Sequence, residues 1–291
     1  MALGKKGDGQ APKWDTVITA SPPWWRLDLK EIWAYRDLLV LLVRRDLLAV
    51  YKQTVLGPMW QVIQPLLTSV MFAVIFGLMG RMSVAHIPPM LFYMSGVVPW
   101  TFFANVLTRT SQTLVSNSNL MTKVYFPRLI SPLATTASTA VSGGIQLASF
   151  FLLALGYRLF GSYAWSVDAS ILLLPVLVLL LVSLAFGLGT LVSALTTQYR
   201  DFTFLVGFGI QLLMYMSPVI FPLSMVHPDS KIRIVLEINP MTPVIENFRA
   251  ILVGTPADLG SLWYTAVFAL LSMFVGLVAF RRVEQKFADV I

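Results

Sequence analysis

Charged residues are missing from six long stretches of the chain, 53–80, 82–108, 129–157, 169–199, 202–228 and 259–280. The shortest has 22 residues and the longest 31. Each can hold a helix of about 20 apolar residues, the length that crosses a bilayer. Strands of a membrane barrel run to about 10 residues with alternating polarity, and these runs are far longer. The pattern predicts an all-α polytopic membrane protein. Its six transmembrane helices are placed at about 57–79, 89–108, 131–155, 171–195, 203–221 and 262–280, within a transmembrane domain of 56–282.

The polar segments between these runs carry patterns of their own. Residues 27–55 have too short an apolar run to span. Leu29, Ile32, Leu39, Val43 and Val50 recur at helical spacing on one side, with Lys30, Arg44, Arg45 and Lys52 on another and Arg36 interrupting the stripe. This predicts an N-terminal amphipathic interfacial helix, with Trp24, Trp25 and Trp33 at headgroup level. It is either a passive anchor or the border of a lateral opening. Residues 1–26 are expected to be a partly disordered tail, with no cleaved leader. Between spans two and three, Ser116 to Lys123 can cap and start a short helix, which Pro127 stops. Segment 116–128 is therefore either a plain loop or a docking surface. Segment 222–256 contains Pro222, Pro228, Pro240, Pro243 and Pro256. Its apolar pieces, Ile232–Ile238 and Val244–Val253, predict two half-length helices broken at Asn239-Pro240. Broken helices at membrane depth persist only when buried in protein or lining a wet cavity. These re-entrant helices between spans five and six are expected to line or close an exit, with Asn239, Pro240 and Glu246 as candidate gate residues.

Charge fixes the orientation. With six spans both termini share a side, and that side, counted with the 109–130 and 196–202 segments, holds 16 of the 21 Lys and Arg. The positive-inside rule makes it cytoplasmic, including the tail 283–291. The net charge of +7 is thus explained by topology and implies no nucleic-acid partner.

Composition removes most chemistry. Hydrophobic residues make up 57% and charged residues 12%, which excludes a soluble enzyme. There is no cysteine, and His86 and His227 are the sole histidines, so neither a metal site nor a thiol or histidine nucleophile is expected. No G-x-x-x-x-G-K-[ST] run exists, so the chain brings no nucleotide site. The spans carry no ionisable group beyond Arg109 at one end, which disfavours an ion-driven carrier. Arg200-Asp201 reads as a local ion pair. Asp168, Asp229, Glu237, Glu246 and Asp258 form no evident acid–base pair, so no catalytic residue is assigned. A transporter powered by a separate ATPase fits best. The spans also mix aromatics with amides, Gln61 and Gln64 beside Trp60 among them. Buried amides are costly unless they are paired or face water. A path for sugars suits this mixture, since rings stack on sugar C–H faces and amides serve hydroxyls. The candidate lining is Trp60, Gln61, Gln64, Phe72, Phe76, Tyr93, Trp100, Phe103 and Tyr215. Glycines 57, 77, 80, 143, 144, 187 and 189 are read as helix-packing positions.

Six stretches in order carry a resemblance: YKQTVLGPMWQVIQPLL at 51–67, NLMTKVYFPRLISPLA at 119–134, QYRDF at 198–202, SPVIFP at 217–222, NPMTPVIENFRAIL at 239–252 and VEQKFADVI at 283–291. From about Trp24 onward the chain resembles the membrane subunit (permease) of type-2 ABC transporters. The likeness is to their polysaccharide-export branch of O-antigen, capsule and teichoic-acid exporters, and most of all to an O-antigen exporter of the lipopolysaccharide pathway.

The resemblance implies a homodimer in the cell inner membrane, paired with two copies of a cytoplasmic ABC ATPase that binds ATP and Mg. No cofactor is implied in this chain. It implies export of a polysaccharide linked to polyprenyl pyrophosphate. Residues 27–55 correspond to an interfacial gate helix and 222–256 to external gate helices. Segment 116–128 corresponds to a coupling helix seated on the ATPase, with Asn117, Asn119, Leu120, Lys123, Tyr125 and Arg128 as contacts. Arg44, Arg45, Lys52 and Arg128 are candidates for meeting the pyrophosphate, as Arg and Lys commonly do. Competing readings are a type-2 permease for a small lipid or drug, a membrane enzyme acting on lipid-linked glycans, and a structural scaffold.

Overall fold

The computed structural model describes residues 29–52, 55–79, 87–121, 123–124, 126–161, 163, 165, 169–199 and 201–290. The expected N-terminal tail, Trp24, Trp25, Tyr125, Asp168 and Arg200 lie outside the described residues. All regular structure among the described residues is helical.

The chain begins with α1 (Leu29–Ala34) and α2 (Arg36–Tyr51), divided at Tyr35. Gly57 takes a φ of +49°, which an L side chain resists, and turns the chain into Pro58 and a short 3-10 turn. Next come α3 (Trp60–Phe72) and a wider π-type turn at Ala73–Met79. Then follow α4 (Pro89–Ser111), the single turns α5 (Thr113–Ser116) and α6 (Ser118–Met121), and α7 (Ile130–Phe160). A 3-10 turn at Ala169–Leu173 leads into α8 (Leu174–Gln198), and α9 covers Phe202–Tyr215. The chain ends with α10 (Lys231–Ile238), α11 (Met241–Val253) and α12 (Leu262–Val290).

Five segments are long and apolar enough to cross a membrane: Gly57–Gly77, Pro89–Ser111, Ile130–Phe160, Ala169–Gln198 and Leu259–Val283. The stretch expected as another span at 203–221 is helical only through the 14 residues of α9. At 1.5 Å per residue α9 is about 21 Å long, short of a hydrocarbon core of about 30 Å. Ser217-Pro218 ends it, since proline has no N–H to continue the ladder. The charge-free run goes on as an irregular turn, Ser217 to Ile220, that is buried.

Helix α4 is the axis of the bundle. It packs against α3, α7, α8, α9 and α11, and 78% of its apolar window is buried, against 11% for the window containing α3. Helices α8 and α12 make the most extensive pairing. It depends on Gly187 and Gly276, because a Cβ on either would strike the backbone of the facing helix. Gly143 similarly gives room to the Phe102 ring and Gly189 to Thr110, whereas Gly144 faces open space. Hydroxyls and one amide join α4 to α7: Thr101 donates to Gln146 Oε1 (2.9 Å), and Thr110 and Thr136 share a 3.3 Å bond.

Candidate functional site

The two ends of α4 carry different machinery. At its C-terminal end the basic helix α2 lies on the start of α7, with Leu42 buried against Phe126, Ile130 and Ala134 and flanked by Leu38, Leu39 and Val43. Leu120 and Met121 of α6 join this cluster. The expected stripe of Leu29, Ile32, Leu39, Val43 and Val50 thus yields its centre to Leu42, while Trp33, Val40, Leu41 and Leu48 are exposed. One polar link ties α2 to the α5–α6 turn. Arg45 Nη2 donates to Asn117 Oδ1 (3.0 Å) and is ion-paired with Asp46 (2.8 Å). Asn117 also donates to Thr113 O (3.2 Å), which fixes its amide. Of the other residues expected here, Arg44, Lys52 and Lys123 are exposed, Leu120 is half-buried, and Arg128 is half-buried in the turn that opens α7. The Asn119 side chain is outside the described residues.

At the opposite end, α11 packs over the first turns of α4 and α10 packs on α11. Asn239 breaks the pair and holds it. Its Nδ2 donates to Met216 O (2.9 Å) and Ser217 Oγ (2.8 Å), and its Oδ1 accepts from the Met241 N–H (2.9 Å). Pro240 follows as the residue that caps α11. The other end of α11 is closed by Gly254 at a φ of +83°, with Tyr163 and Trp165 donating to the carbonyls of Val253 and Leu252.

Arg249 is the residue that the sequence did not single out. It is 5% exposed. Nη2 donates to Pro218 O (2.6 Å) and Val219 O (2.9 Å), Nη1 donates to Glu246 (2.9 Å), and the guanidinium sits 4.4 Å from the centre of the Phe92 ring. Glu246 also accepts from the Leu223 N–H (3.2 Å). Burial pulls the Arg249 guanidinium below its ordinary value, while the charge of Glu246 and the hydrogen bond to it hold it up. Gly96 on α4 leaves the space, because a Cβ there would lie 2.7 Å from Arg249 Nη2 and 2.8 Å from Val219 O. A signal was available: one arginine in the otherwise apolar run Phe248 to Val253 has to be paired or functional.

The nine residues expected to line a path separate into three groups. Tyr93, Trp100 and Phe103 are 1%, 4% and 0% exposed. That expectation is corrected for these three: α4 is the core helix, and its aromatics pack inward, Trp100 on Phe103 and Tyr93 on Phe92 and Phe72. Phe72 and Phe76 are half-buried in the same aromatic cluster, and Gln61 is half-buried on α3. Trp60, Gln64 and Tyr215 are exposed. Trp60 and Gln64 are four residues apart and share one face of α3. On α9, Gln211 is exposed among exposed Phe204, Phe208 and Tyr215. Two faces of the isolated chain thus combine an amide with aromatic rings.

A family profile described as "ABC-2 type transporter" matches residues 37–253. The chain is similar to the "O-antigen export system permease protein RfbA" of Klebsiella pneumoniae, with 26% identity over 257 residues, 88% of this chain and 95% of that protein. It is similar to the protein of the same name from Myxococcus xanthus, with 26% identity over 223 residues, 77% and 83% of the two chains. It is also similar to the "Polysialic acid transport protein KpsM" of Escherichia coli, with 25% identity over 232 residues, 79% and 87%.

Proposed function

This chain belongs to the ABC-2 type transporter family, and from that premise we propose that it is the permease subunit of an ATP-driven polysaccharide exporter of the O-antigen type. The observation that carries this reading is the near-complete span of its match to O-antigen export permeases, 95% of one of them. The chain works as a homodimer in the inner membrane, with both termini in the cytoplasm. Two copies of a separate ATPase bind ATP and Mg and drive transport, since this sequence has no P-loop of its own.

The basic end is the cytoplasmic face. The α5–α6 turn seats on the ATPase through Asn117, Asn119, Leu120, Lys123, Tyr125 and Arg128. Helix α2 lies in the interface beside the lateral entry, where Arg44, Lys52 and Arg128 meet the lipid pyrophosphate. Arg45, already tied to Asn117, reports the movement of one segment to the other. Helix α9 with its buried turn makes a sixth crossing, closed on the outside by the re-entrant pair α10–α11. The glycan passes along the faces that carry Trp60, Gln64, Gln211 and Tyr215. An exposed glutamine facing lipid is costly, and an amide beside a ring serves the hydroxyl and C–H faces of a sugar.

The test is ATPase activity in vesicles holding the permease with its ATPase, with and without lipid-linked glycan. Glycan-stimulated hydrolysis and transfer of glycan into the vesicle lumen are expected. Stable assembly that ignores every glycan and responds to a small lipid overturns the polysaccharide reading and keeps the transporter. Bond cleavage by the permease alone overturns both.

A further inference from the structure

A cleft of about 640 Å³ opens at the external end of the chain, walled by α10, α11 and the start of α12. Its walls are fixed by hydrogen bonds. Tyr264 Oη donates to Ile238 O (2.6 Å) and Thr265 Oγ1 to Pro240 O (2.8 Å), so the start of α12 is clamped to the α10–α11 break. Asn247 Nδ2 donates to Asp258 O (2.9 Å) and Ser261 Oγ (3.2 Å), which fixes the α11–α12 connection. Pre-formed concave sites with a few placed polar groups are the usual form of a small-ligand pocket.

The groups facing this space define what it can hold. Trp263 is 68% exposed and lines the cleft beside Tyr264. Both arginines of the lining are already paired, Arg233 with Glu237 (2.8 Å) and Arg249 with Glu246 (2.9 Å). Asp258 adds a further carboxylate and its Oδ1 accepts from the Gly260 N–H (3.1 Å). Negative groups therefore exceed positive ones, which disfavours a phosphate or any other anion. No cluster of metal-ligating side chains occurs among the described residues, which gives a cation no cage. What remains is an aromatic face next to carboxylates whose oxygens accept from hydroxyl groups. A neutral polyhydroxylated ring fits this chemistry.

We propose that the cleft is an external carbohydrate subsite that holds one or two sugar units of the glycan as it leaves. Trp263 is the stacking platform, and Glu237 the acceptor for ring hydroxyls. The inference rests on the exporter reading and adds to it a place where the emerging chain is held by weak, exchangeable contacts. Such contacts let a polymer advance and oppose its sliding back.

The test is saturation-transfer NMR on the full-length chain in detergent micelles. The probe is the surface polysaccharide of the source organism, released from its lipid by mild acid. The wild-type chain is expected to transfer saturation to the sugar ring protons. Trp263→Ala and Glu237→Ala, both at exposed positions, are each expected to weaken it by about five-fold, the size of one lost aromatic face or hydrogen bond. Gel filtration of both variants should match wild type. An interfacial anchor at Trp263 predicts instead that Glu237→Ala behaves as wild type, which overturns the subsite. So does saturation that survives both substitutions, or none with the wild-type chain. The exporter reading is judged separately: a strain lacking the chain that keeps its surface glycan overturns that reading, whatever the cleft binds.

Discussion

Arg249 joins three parts of the chain through one planar group: Glu246 on its own helix, the carbonyls of Pro218 and Val219 after α9, and α4, through the Phe92 ring and the space left by Gly96. Removing one partner of a fully buried pair costs roughly 3–5 kcal/mol; Glu246 keeps 31% of its side chain exposed, which lowers that figure, but loss of Arg249 also leaves the carbonyls of Pro218 and Val219 without their donor. Arg249→Met is therefore expected to lower the melting temperature strongly when unfolding is followed by fluorescence-detected gel filtration. Arg249→Lys should not rescue it, because a single ammonium cannot reach a carboxylate and two carbonyls at once while lying over a ring. A melting curve of Arg249→Lys that overlays wild type would show that charge alone suffices. The sequence offered Glu246 and Asn239 as external candidates but left Arg249 as an ordinary external charge. Its role depends on contacts with residues about thirty positions away, and no local pattern encodes them. The same limit explains Tyr93, Trp100 and Phe103. An aromatic in an apolar helix has the same local signature whether it faces a path or a core. The choice was made by the position of α4 at the centre of the bundle.

At the scale of elements, hydrophobic runs located most helices to within a few residues, as with Pro89–Ser111 for an expected span at 89–108. They misread the end of α9, because a buried irregular turn is as apolar as a helix and hydropathy does not separate the two. Glycines fared unevenly: Gly187 was chosen as a packing position, yet its counterpart Gly276 was not, and Gly144 meets nothing. Gly276→Leu forces α12 away from α8 and is expected to abolish the monodisperse peak in gel filtration, while Gly144→Leu leaves it intact. The same behaviour from both variants would remove the α8–α12 contact as the reason. The link between α2 and the α5–α6 turn makes a gentler prediction. A single hydrogen bond of this kind contributes about 0.5–1.5 kcal/mol. Asn117→Ala and Arg45→Ala should each leave the permease–ATPase complex assembled. Each should reduce glycan moved per ATP hydrolysed by about two- to ten-fold, the range that this energy spans. Their double variant should be no worse than either single. Additive losses would mean that the two residues act separately.

For the molecule as a whole, burial is graded from centre to edge. The window on α4 is 78% buried, while those on α3 and α12 are 11% and 22% buried. Apolar exposure alone does not distinguish a lipid-facing helix from one that faces a second copy, since lipid tails are as apolar as leucine. The amides make the distinction. Gln64 and Gln211 are exposed on α3 and α9, whereas exposed Leu179 on α8 stands beside exposed Val176 and half-buried Ser183 and has no amide on its face. A chain with no cysteine of its own makes the comparison direct. Gln64→Cys and Gln211→Cys, oxidised in native membranes while the path is empty and closed, are expected to give disulfide-linked dimers, singly or in combination. Leu179→Cys is expected to remain monomeric under the same oxidant. Cross-linking needs Cα atoms within about 7 Å, so a dimer through these faces predicts sharp position dependence along each helix, with a period near 3.6 residues. Dimers formed only through position 179 would place α8 at the contact and leave the amide faces of α3 and α9 without the role given to them here.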